Sequence, residues 1–557
     1  MLGLTMVPPV MMNSSSLHKF RADWMQGLKE IQYRIYAGEE QGRLHDPLVQ
    51  VGRTPFHLAH QGLPDLPLMA VLAGSYHAAA PSLVYTAPHL QGGPASVQQM
   101  KIDSRPVRVG FVSLHLRDHS IGRMLALLIM ALAEDEGMDV HIIAVGRNGV
   151  SHVDGRARKE DVGREGGSDP VVQALRGSVE GWHEIALDMG SAREVIGELR
   201  PDVLVYPDIG MDAFTYFLSF SRLAPVQCVW WGHPVTPATG SLDYFLSLEV
   251  EEAEGQRDYM EQVVRMDLVN TAPFVQVQGG SRNRAKQSGS PHASVVTAHP
   301  SSSLLAEGAS EPNAGPPLAG EHGAVLPSEG GKNSSSIPRV ACLGQAEGNS
   351  SNLFTAPPAG QESTFLPPGT HLYLVLGRLF KLHPEFDEAV AGILEEDPDG
   401  CVVLIHEKQE EEWTRAIWRR LMTKLTPLGE TERLKIVHHW NYPSTLQRSS
   451  AVLDTFPYGG CLTVLEALSA NVPVVTFPSD LLRGRFALAL YRQMGLTGLV
   501  ARDIKSYVTI AVRLGTDPVF QGQAREAVRV GYAHHLHHNE ESAREWAQFF
   551  RRALAIA

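Results

Sequence analysis

The sequence predicts an α/β protein in which two Rossmann-like domains face each other across a cleft. Short apolar runs alternate with helical segments in two stretches, 103–268 and 366–530. This alternation is typical of parallel sheets whose strands are joined by crossover helices. Between the two stretches, residues 269–365 are dominated by Gly, Ser, Pro, Ala and Asn and nearly lack aromatic side chains. Such a segment buries too little apolar surface to order itself, so we expect a disordered insertion.

Composition and charge narrow the class of protein. The chain has 557 residues, of which 43% are hydrophobic, so it can bury a large core. Its net charge of −13 argues against nucleic acid as the main partner, because phosphate binding needs clustered Lys and Arg. No apolar run approaches the ~20 residues that a membrane span requires. Residues 1–16 lack a basic region and contain Pro8-Pro9, so we expect a disordered start rather than a signal peptide.

Cysteine and histidine spacing bears on metal binding and location. The cysteines have no CxxC spacing, which favours a reducing compartment, cytoplasmic or nuclear, without structural zinc. The histidines near the C terminus suggest a metal, but no acidic ligand at helical spacing accompanies them, and we predict no metal site. These residues are Cys228, Cys342, Cys401 and Cys461, and His534, His535, His537 and His538.

The predicted elements follow in chain order. Residues 17–102 form a helical region whose apolar side chains recur at helical spacing and serve packing, with a second apolar helix from Leu66 to Ala80. In the first domain, strands VRVGFVSL, VHIIAV, DVLVYPD and VQCVWWG alternate with helices at 120–134 and 193–199. In the second, strands LYLVLGRLF, CVVLIHE and LKIVHH alternate with helices at 385–395 and 411–425. Residues 531–557 form a C-terminal helix.

The stretch Ala451 to Pro478 reads as strand, glycine turn, helix and strand. Gly459 and Gly460 let a ligand approach the backbone, and the free N–H groups of the new helix attract a diphosphate. Glu466, one turn into that helix, is placed to accept hydrogen bonds from ribose hydroxyls. For the glycine pair alone, an ordinary turn of a βαβ unit is an equally good interpretation.

Three further loops carry candidate chemistry at strand ends. His119 follows the first strand, where it either takes a proton or caps the next helix. The loop containing Gly232, His233 and Thr236 either faces a sugar or acceptor or is an ordinary connection, and its polarity favours function slightly. Lys381, at a strand-to-helix junction of the second domain, can neutralise a pyrophosphate leaving group, although an isolated lysine is usually solvated surface.

Several of these blocks together resemble the family 41 glycosyltransferases. They are RVGFVSLHLRDHSIGR, PDIGMDAFTYFLSFSRLAPVQCVWWGHPVT, LFKLHPEFD, and LDTFPYGGCLTVLEALSANVPVVTFP followed by RGRFALALYRQMGL. That family contains protein O-GlcNAc transferases, SPINDLY-type O-fucosyltransferases and bacterial adhesin N-glucosyltransferases. The resemblance covers about residues 55 to 268 and 366 to 550. It implies a GT-B fold, an inverting reaction, no required metal, and a nucleotide sugar held mainly by the second domain.

The resemblance also implies roles for individual residues. His119 resembles the acceptor base of the family, and Lys381 the lysine on the donor phosphates. Tyr442 falls near the position that stacks on the base, Glu466 at the acidic ribose contact, and His183 near a further cleft histidine. The diphosphate-binding helix start matches Gly460, Cys461, Leu462 and Thr463.

The chain departs from the O-GlcNAc transferases at three points. Cys461-Leu462 stands where they have His-Thr, which removes an imidazole and a hydroxyl from the phosphate site. Arg378 stands where they have a glutamine, and no tetratricopeptide period of 34 residues is present. These changes leave the donor open between UDP and GDP sugars.

The sequence therefore predicts a protein glycosyltransferase that moves GlcNAc from UDP-GlcNAc to Ser or Thr, with acceptor proteins as partners. O-fucosyl transfer from GDP-fucose, N-glucosyl transfer from UDP-glucose, and a non-catalytic nucleotide-sugar-binding relative are the alternatives. We expect no cofactor, no nucleic acid partner and no membrane partner.

Overall fold

The protein is described by a computed structural model that covers residues 6–38, 43–91, 105–146, 152–153, 156–157, 169–267, 269, 369–406, 411–438, 442–536 and 539–557. Its α-helices are Ser14–Tyr36, Pro47–Gln50, Leu66–Ala79, Ser120–Ala133, Pro170–Arg176, Met189–Leu199, Ala213–Leu218, Phe386–Glu396, Glu411–Leu425, Tyr442–Arg448, Leu462–Ser469, Phe486–Gln493, Ile504–Thr516, Pro518–His535 and Asn539–Ile556. Short 3-10 helices lie at Phe56–Gln61, Pro81–Leu83, Pro88–Leu90, Gly255–Asp258, Leu379–Lys381, Thr426–Leu428, Thr431–Arg433 and Leu482–Gly484. Apart from Val269, the insertion predicted at 269–365 lies outside the described residues.

Seven parallel strands form the first sheet. Their order across the sheet is Gln262–Met266, Tyr244–Leu248, Val226–Trp230, Val203–Tyr206, Val107–Ser113, Met138–Val145 and Gly181–Ile185. The central strands are largely apolar because helices cover both faces of a parallel sheet. Val203–Tyr206, for example, is buried at every position.

Five parallel strands form the second sheet. Their order is Leu434–His438, Gly400–His406, His371–Val375, Ala451–Leu453 and Val474–Val475. Two small pairs complete the described strands: Tyr85–Thr86 with Ser221–Arg222, and His152–Val153 with Arg156–Ala157. Together the two parallel sheets confirm the predicted α/β class with two Rossmann-like halves.

The N-terminal helices pack onto this framework. The first helix begins at Ser14, where Asn13 and Ser16 form a reciprocal capping box. Val7 is also buried, so over residues 6–16 the structure differs from the prediction that residues 1–16 are disordered. The predicted helix from Leu66 to Ala80 is present as Leu66–Ala79. Within the described residues, no helix is long and apolar enough to span a bilayer.

The C-terminal helix returns to the first sheet. Asn539–Ile556 packs against Ser120–Ala133, and the ring of Trp546 lies parallel to that of Phe111 with 6.3 Å between centroids. The boundary predicted between residues 530 and 531 falls inside a continuous helix, Pro518–His535. The chain therefore crosses from the second half back to the first, and buried apolar residues of both halves form one contiguous core.

Candidate functional site

A cavity of about 610 Å³ lies where loops from the carboxyl ends of strands in both sheets meet. Ligands of open parallel sheets bind at this end of the strands. The predicted residues that line the cavity are His119, Gly232 and His233 from the first half, and Arg378, Lys381, Tyr442, Gly459, Cys461, Leu462, Thr463 and Glu466 from the second.

The glycine turn is shaped by a buried carboxylate. Asp454 directly follows the strand Ala451–Leu453 and accepts hydrogen bonds from the Gly460 N–H at 2.7 Å and the Thr476 hydroxyl at 2.8 Å. Burial raises the pKa of Asp454 to about 6, although these bonds and Lys381 act in the opposite direction. A Cβ on Gly460 would lie 2.5 Å from Oγ1 of Thr463, so the turn needs glycine there. Gly460 supports the turn without lining the cavity.

The helix that follows the turn begins at the cavity without a side-chain cap. Cys461 is the N-cap of Leu462–Ser469, and no described side chain accepts a hydrogen bond from the first turn. Burial raises the pKa of the Cys461 thiol to about 12, so the thiol is neutral near pH 7. Oγ1 of Thr463 is buried without a hydrogen-bond partner among the described residues. Uncapped N–H groups and a free hydroxyl together suit an anionic ligand.

Lys381 brings a positive charge to the same place. It lies in the 3-10 helix Leu379–Lys381, and its Nζ donates a hydrogen bond of 3.2 Å to the carbonyl oxygen of Gly459. Burial lowers the pKa of Lys381 to about 8, and Arg378 adds to that effect while Asp454 opposes it. The lysine is therefore charged near pH 7, beside the uncapped helix start.

Tyr442 and Glu466 form a pair on the wall of the cavity. The Tyr442 hydroxyl donates a hydrogen bond of 3.0 Å to Oε2 of Glu466. Burial raises the pKa of Glu466, while the bond from Tyr442 and the charge of Arg123 act to lower it. Arg123 lies on the helix of the first half that follows His119, and its Nη1 is 3.7 Å from Oε1 of Glu466. This ion pair joins the two halves across the cavity.

His119 combines the two roles that the sequence left open. It is the N-cap of Ser120–Ala133, and its Nδ1 accepts a hydrogen bond of 3.3 Å from the Ile121 N–H. Its ring also lines the cavity and stacks on that of His115, with 4.5 Å between centroids. The helix cap therefore holds this histidine at the cavity wall.

The remaining predicted residues differ in position. A Cβ on Gly232 would lie 2.2 Å from the carbonyl oxygen of Pro207, which explains the glycine by close packing. His233 is buried, and burial lowers its pKa to about 4, so it is neutral near pH 7. Thr236 donates a 2.7 Å hydrogen bond to Glu261 and does not line the cavity. Its hydroxyl is committed to the packing of this loop.

His183 also lies away from the cavity. It sits on Gly181–Ile185, the strand at one edge of the first sheet, and its Nε2 is 3.0 Å from Nδ1 of His141. Because a sheet edge is remote from the loops at its centre, the structure does not bring His183 to the site.

Aromatic and histidine residues of the N-terminal region were missed from the sequence. The 3-10 helix Phe56–Gln61 forms part of the cavity wall, although this region was expected to serve packing alone. The His60 ring lies 4.5 Å from both Phe380 and Tyr458, measured between ring centroids. Burial, reinforced by neighbouring charges, lowers the pKa of His60 well below its ordinary value. The only local signal was two histidines and a phenylalanine within six residues. The other lining residues that were not singled out are His57, His115, Ser120, Ile121, Met124, Met211, Trp230, Trp231, Pro234, Leu376, Gly377, Ile405, His406, Trp413 and Phe486.

Comparisons with known proteins identify relatives of parts of this chain. Residues 360–538 match the model of glycosyl transferase family 41. A probable UDP-N-acetylglucosamine–peptide N-acetylglucosaminyltransferase SPINDLY from Arabidopsis thaliana is 29% identical over 156 residues, 27% of this chain and 17% of that protein. A UDP-N-acetylglucosamine–peptide N-acetylglucosaminyltransferase from Caenorhabditis elegans is 39% identical over 71 residues, 13% of this chain and 6% of that protein. The chain thus spans less than a fifth of the length of these curated relatives.

A solved structure shows the fold over nearly the whole chain. A mutant of the O-GlcNAc transferase from Thermobaculum terrenum superposes with a TM-score of 0.57 and 20% identity, over 98% of this chain and 81% of that one. The two facing Rossmann-like halves are therefore a GT-B fold. Residues 360–538 thus match glycosyl transferase family 41, and the chain as a whole has a GT-B fold.

Proposed function

We propose that this chain is an inverting protein glycosyltransferase that moves GlcNAc from UDP-GlcNAc to Ser or Thr hydroxyls. The names of its relatives support the donor and the acceptor class. The observation that carries the proposal is the placement of Lys381 beside an uncapped helix start, in the cavity that His119 lines from the other half.

The second half holds the donor in this proposal. The diphosphate lies against the N–H groups of the helix that begins after Cys461, with the Lys381 ammonium beside it. As the glycosidic bond breaks, negative charge grows on the departing diphosphate, and this preorganised positive charge stabilises it. The reaction then needs no metal at the diphosphate. Tyr442 stacks on the base, and Glu466 accepts hydrogen bonds from the ribose.

The first half presents the acceptor hydroxyl to His119. While Nδ1 of His119 accepts the Ile121 N–H, a neutral ring carries its hydrogen on Nε2. To take the acceptor proton at Nε2, the ring must adopt the other tautomer and release that bond. The bond is long, at 3.3 Å, so its loss costs no more than the ~1 kcal/mol of an ordinary N-cap. We propose that the acceptor hydroxyl replaces the cap as the hydrogen-bond partner of the ring.

Composition and thiols support an intracellular location with protein partners. Cys228 and Cys461, two of the cysteines within the described residues, are free thiols. Free thiols persist in the reducing cytoplasm and nucleus, where we place the protein. The net charge of −13 supports partners other than nucleic acid.

The test uses the purified full chain with a peptide library and three donors, UDP-GlcNAc, GDP-fucose and UDP-glucose. We expect nucleotide release and peptide labelling with UDP-GlcNAc, and loss of both in Lys381→Ala. The exposed lysine variant Lys19→Ala is the control and keeps activity. If another donor labels the peptides instead, the transferred sugar differs from the proposal but the enzyme class stays the same. If wild type and Lys381→Ala bind nucleotide sugar equally and neither turns it over, the enzyme proposal is wrong. The chain would then be a non-catalytic nucleotide-sugar-binding protein.

A further inference from the structure

A cluster of titratable side chains lies behind His119. His115 is in the loop after strand Val107–Ser113, Asp208 follows strand Val203–Tyr206, and Asp212 is the N-cap of Ala213–Leu218. The exposed fraction of these side chains is 3%, 0% and 6%, respectively. One nitrogen or oxygen atom of each lies within 4.8 Å of those of the other two. Two adjacent strands of the first sheet thus bring an imidazole and two carboxyl groups together.

Several atoms of this cluster have no hydrogen-bond partner among the described residues. They are both ring nitrogens of His115 and Oδ1 of Asp208. A buried polar atom without a partner costs roughly 1–3 kcal/mol, and most native structures avoid it. Because the two nitrogens of an imidazole point in different directions, one of them can share a ligand with Oδ1 of Asp208, and this unpartnered pair indicates a missing ligand.

The other atoms of the cluster are already held. Oδ2 of Asp208 accepts a 2.7 Å hydrogen bond from the Ser113 hydroxyl, whose oxygen in turn accepts the His115 backbone N–H at 2.8 Å. The Asp212 carboxylate accepts both the N–H and the hydroxyl of Thr215, at 2.8 and 2.7 Å. Such outer hydrogen bonds are the usual means by which proteins orient metal-binding carboxylates. Each carboxylate oxygen retains a second lone pair for an ion.

The chemistry of the three groups selects the kind of ligand. Two carboxyl groups in one buried site repel each other when both are ionised, and a divalent cation bound to both removes that penalty. The imidazole nitrogen favours a transition metal over calcium or magnesium, which prefer oxygen ligands. We propose that His115, Asp208 and Asp212 form a binding site for a divalent transition-metal ion of the zinc or manganese class.

This site is separate from the donor site, and it does not depend on the proposed function. The positive charge for a diphosphate comes from Lys381 and the helix start in the second half. The metal ligands belong to the first half, and His115 alone of the three lines the cavity, which gives the ion a route of entry. An ion on His115 also fixes the ring that stacks on His119, so it positions that residue.

The test measures metal binding directly. The full chain is stripped with a chelator and titrated calorimetrically with zinc chloride and with manganese chloride. We expect one ion per chain, bound at micromolar concentration or tighter, and affinity reduced by at least about tenfold in His115→Phe and in Asp208→Asn. His183→Phe and His534→Ala, which change histidines outside the site, are matched controls and keep the affinity. Failure of the wild type to bind either ion, or unchanged affinity in His115→Phe and Asp208→Asn, overturns the proposal.

A second measurement covers the case in which the substituted chains do not fold. X-ray absorption on the zinc-loaded wild type is expected to show one imidazole with oxygen ligands and no sulfur. Sulfur, or two or more imidazoles, would place the ion at a cysteine or at the C-terminal histidines and overturn the proposal.

Discussion

The ammonium nitrogen of Lys381 lies 4.7 Å from the ring centre of Tyr458, within the range of a cation–π contact. Its hydrogen bond to the Gly459 carbonyl also favours the charged form. Burial nevertheless lowers the pKa of Lys381 to about 8, although the Asp454 carboxylate opposes it. The charge of Lys381 therefore changes within a pH range that experiments can cover.

Nucleotide affinity is predicted to depend on this titration. A diphosphate binds the protonated lysine better, so the affinity for UDP should fall as pH rises through about 8. A charged hydrogen bond contributes roughly 1.5–3 kcal/mol, so the fall is about 10- to 150-fold. Calorimetric titration of UDP between about pH 6 and pH 10 measures it.

Two variants of Lys381 serve as controls for that pH dependence. Lys381→Arg stays protonated over the whole range and should remove the fall near pH 8. Lys381→Met has no charge and should bind weakly at every pH. The same pH profile in wild type and Lys381→Met would show that another group titrates.

Tyr442 is predicted to act through its ring. Tyr442→Phe loses the hydrogen bond to Glu466 but keeps the aromatic face, so UDP affinity should fall by no more than about threefold. Tyr442→Ala loses base stacking worth roughly 1–3 kcal/mol, and affinity should fall about 5- to 150-fold. Fluorescence or calorimetric titration separates them, with the exposed residue variant Tyr33→Ala as control. Equal losses in Phe and Ala would assign the effect to the hydroxyl.

The parts of the fold that depend on local pattern were predictable from the sequence. The strand Val107–Ser113 and the helix Glu411–Leu425 follow from apolar runs and helical spacing, and the glycine turn from Gly459 and Gly460. Because parallel sheets bind ligands at strand ends, His119 was also identifiable as a candidate.

Long-range packing accounts for what the sequence did not indicate. The 3-10 helix Phe56–Gln61 has too few residues to show a period, and its place in the cavity depends on contacts with the distant second half. Nothing local links Tyr442 to Glu466, or Trp546 to Phe111. His183 was predicted near the cleft, but its strand lies at the edge of the sheet. The order of strands in a sheet cannot be read from the sequence of one strand.

Two substitutions of His119 should separate its structural and chemical roles. Asparagine is a good N-cap, so His119→Asn should change the free energy of unfolding little, whereas His119→Ala should lower it by about 1 kcal/mol. If the ring takes the acceptor proton, both variants should lose about 10²- to 10⁴-fold in turnover at unchanged UDP-GlcNAc affinity. Chemical denaturation and single-turnover rates measure the two effects. Normal turnover in His119→Asn would show that His119 serves only as the N-cap of its helix.

A buried ion pair is predicted to hold the N-terminal region on the second half. Nη1 of Arg483 lies 2.8 Å from Oδ2 of Asp65, with side chains 3% and 1% exposed, and Nη1 of Arg21 donates to Oδ1 at 2.9 Å. Asp65→Asn leaves the Arg483 charge buried without its counterion, so the folded state should lose about 3–5 kcal/mol. Because Asp65 closely follows Phe56–Gln61, this loss should also loosen that wall of the cavity and weaken UDP binding.

Urea unfolding of Asp65→Asn and of a surface pair distinguishes this prediction from a general effect of lost charge. Asp23 pairs with Lys19 at 3.0 Å, but the two side chains are 65% and 76% exposed. Asp23→Asn should therefore change stability by less than about 1 kcal/mol, because solvent screens exposed pairs. If the urea concentration at the first unfolding midpoint falls strongly in Asp65→Asn but not in Asp23→Asn, the result supports the buried ion pair between Asp65 and Arg483. Similar small shifts in both variants would show that apolar packing, rather than this ion pair, holds the N-terminal region in place.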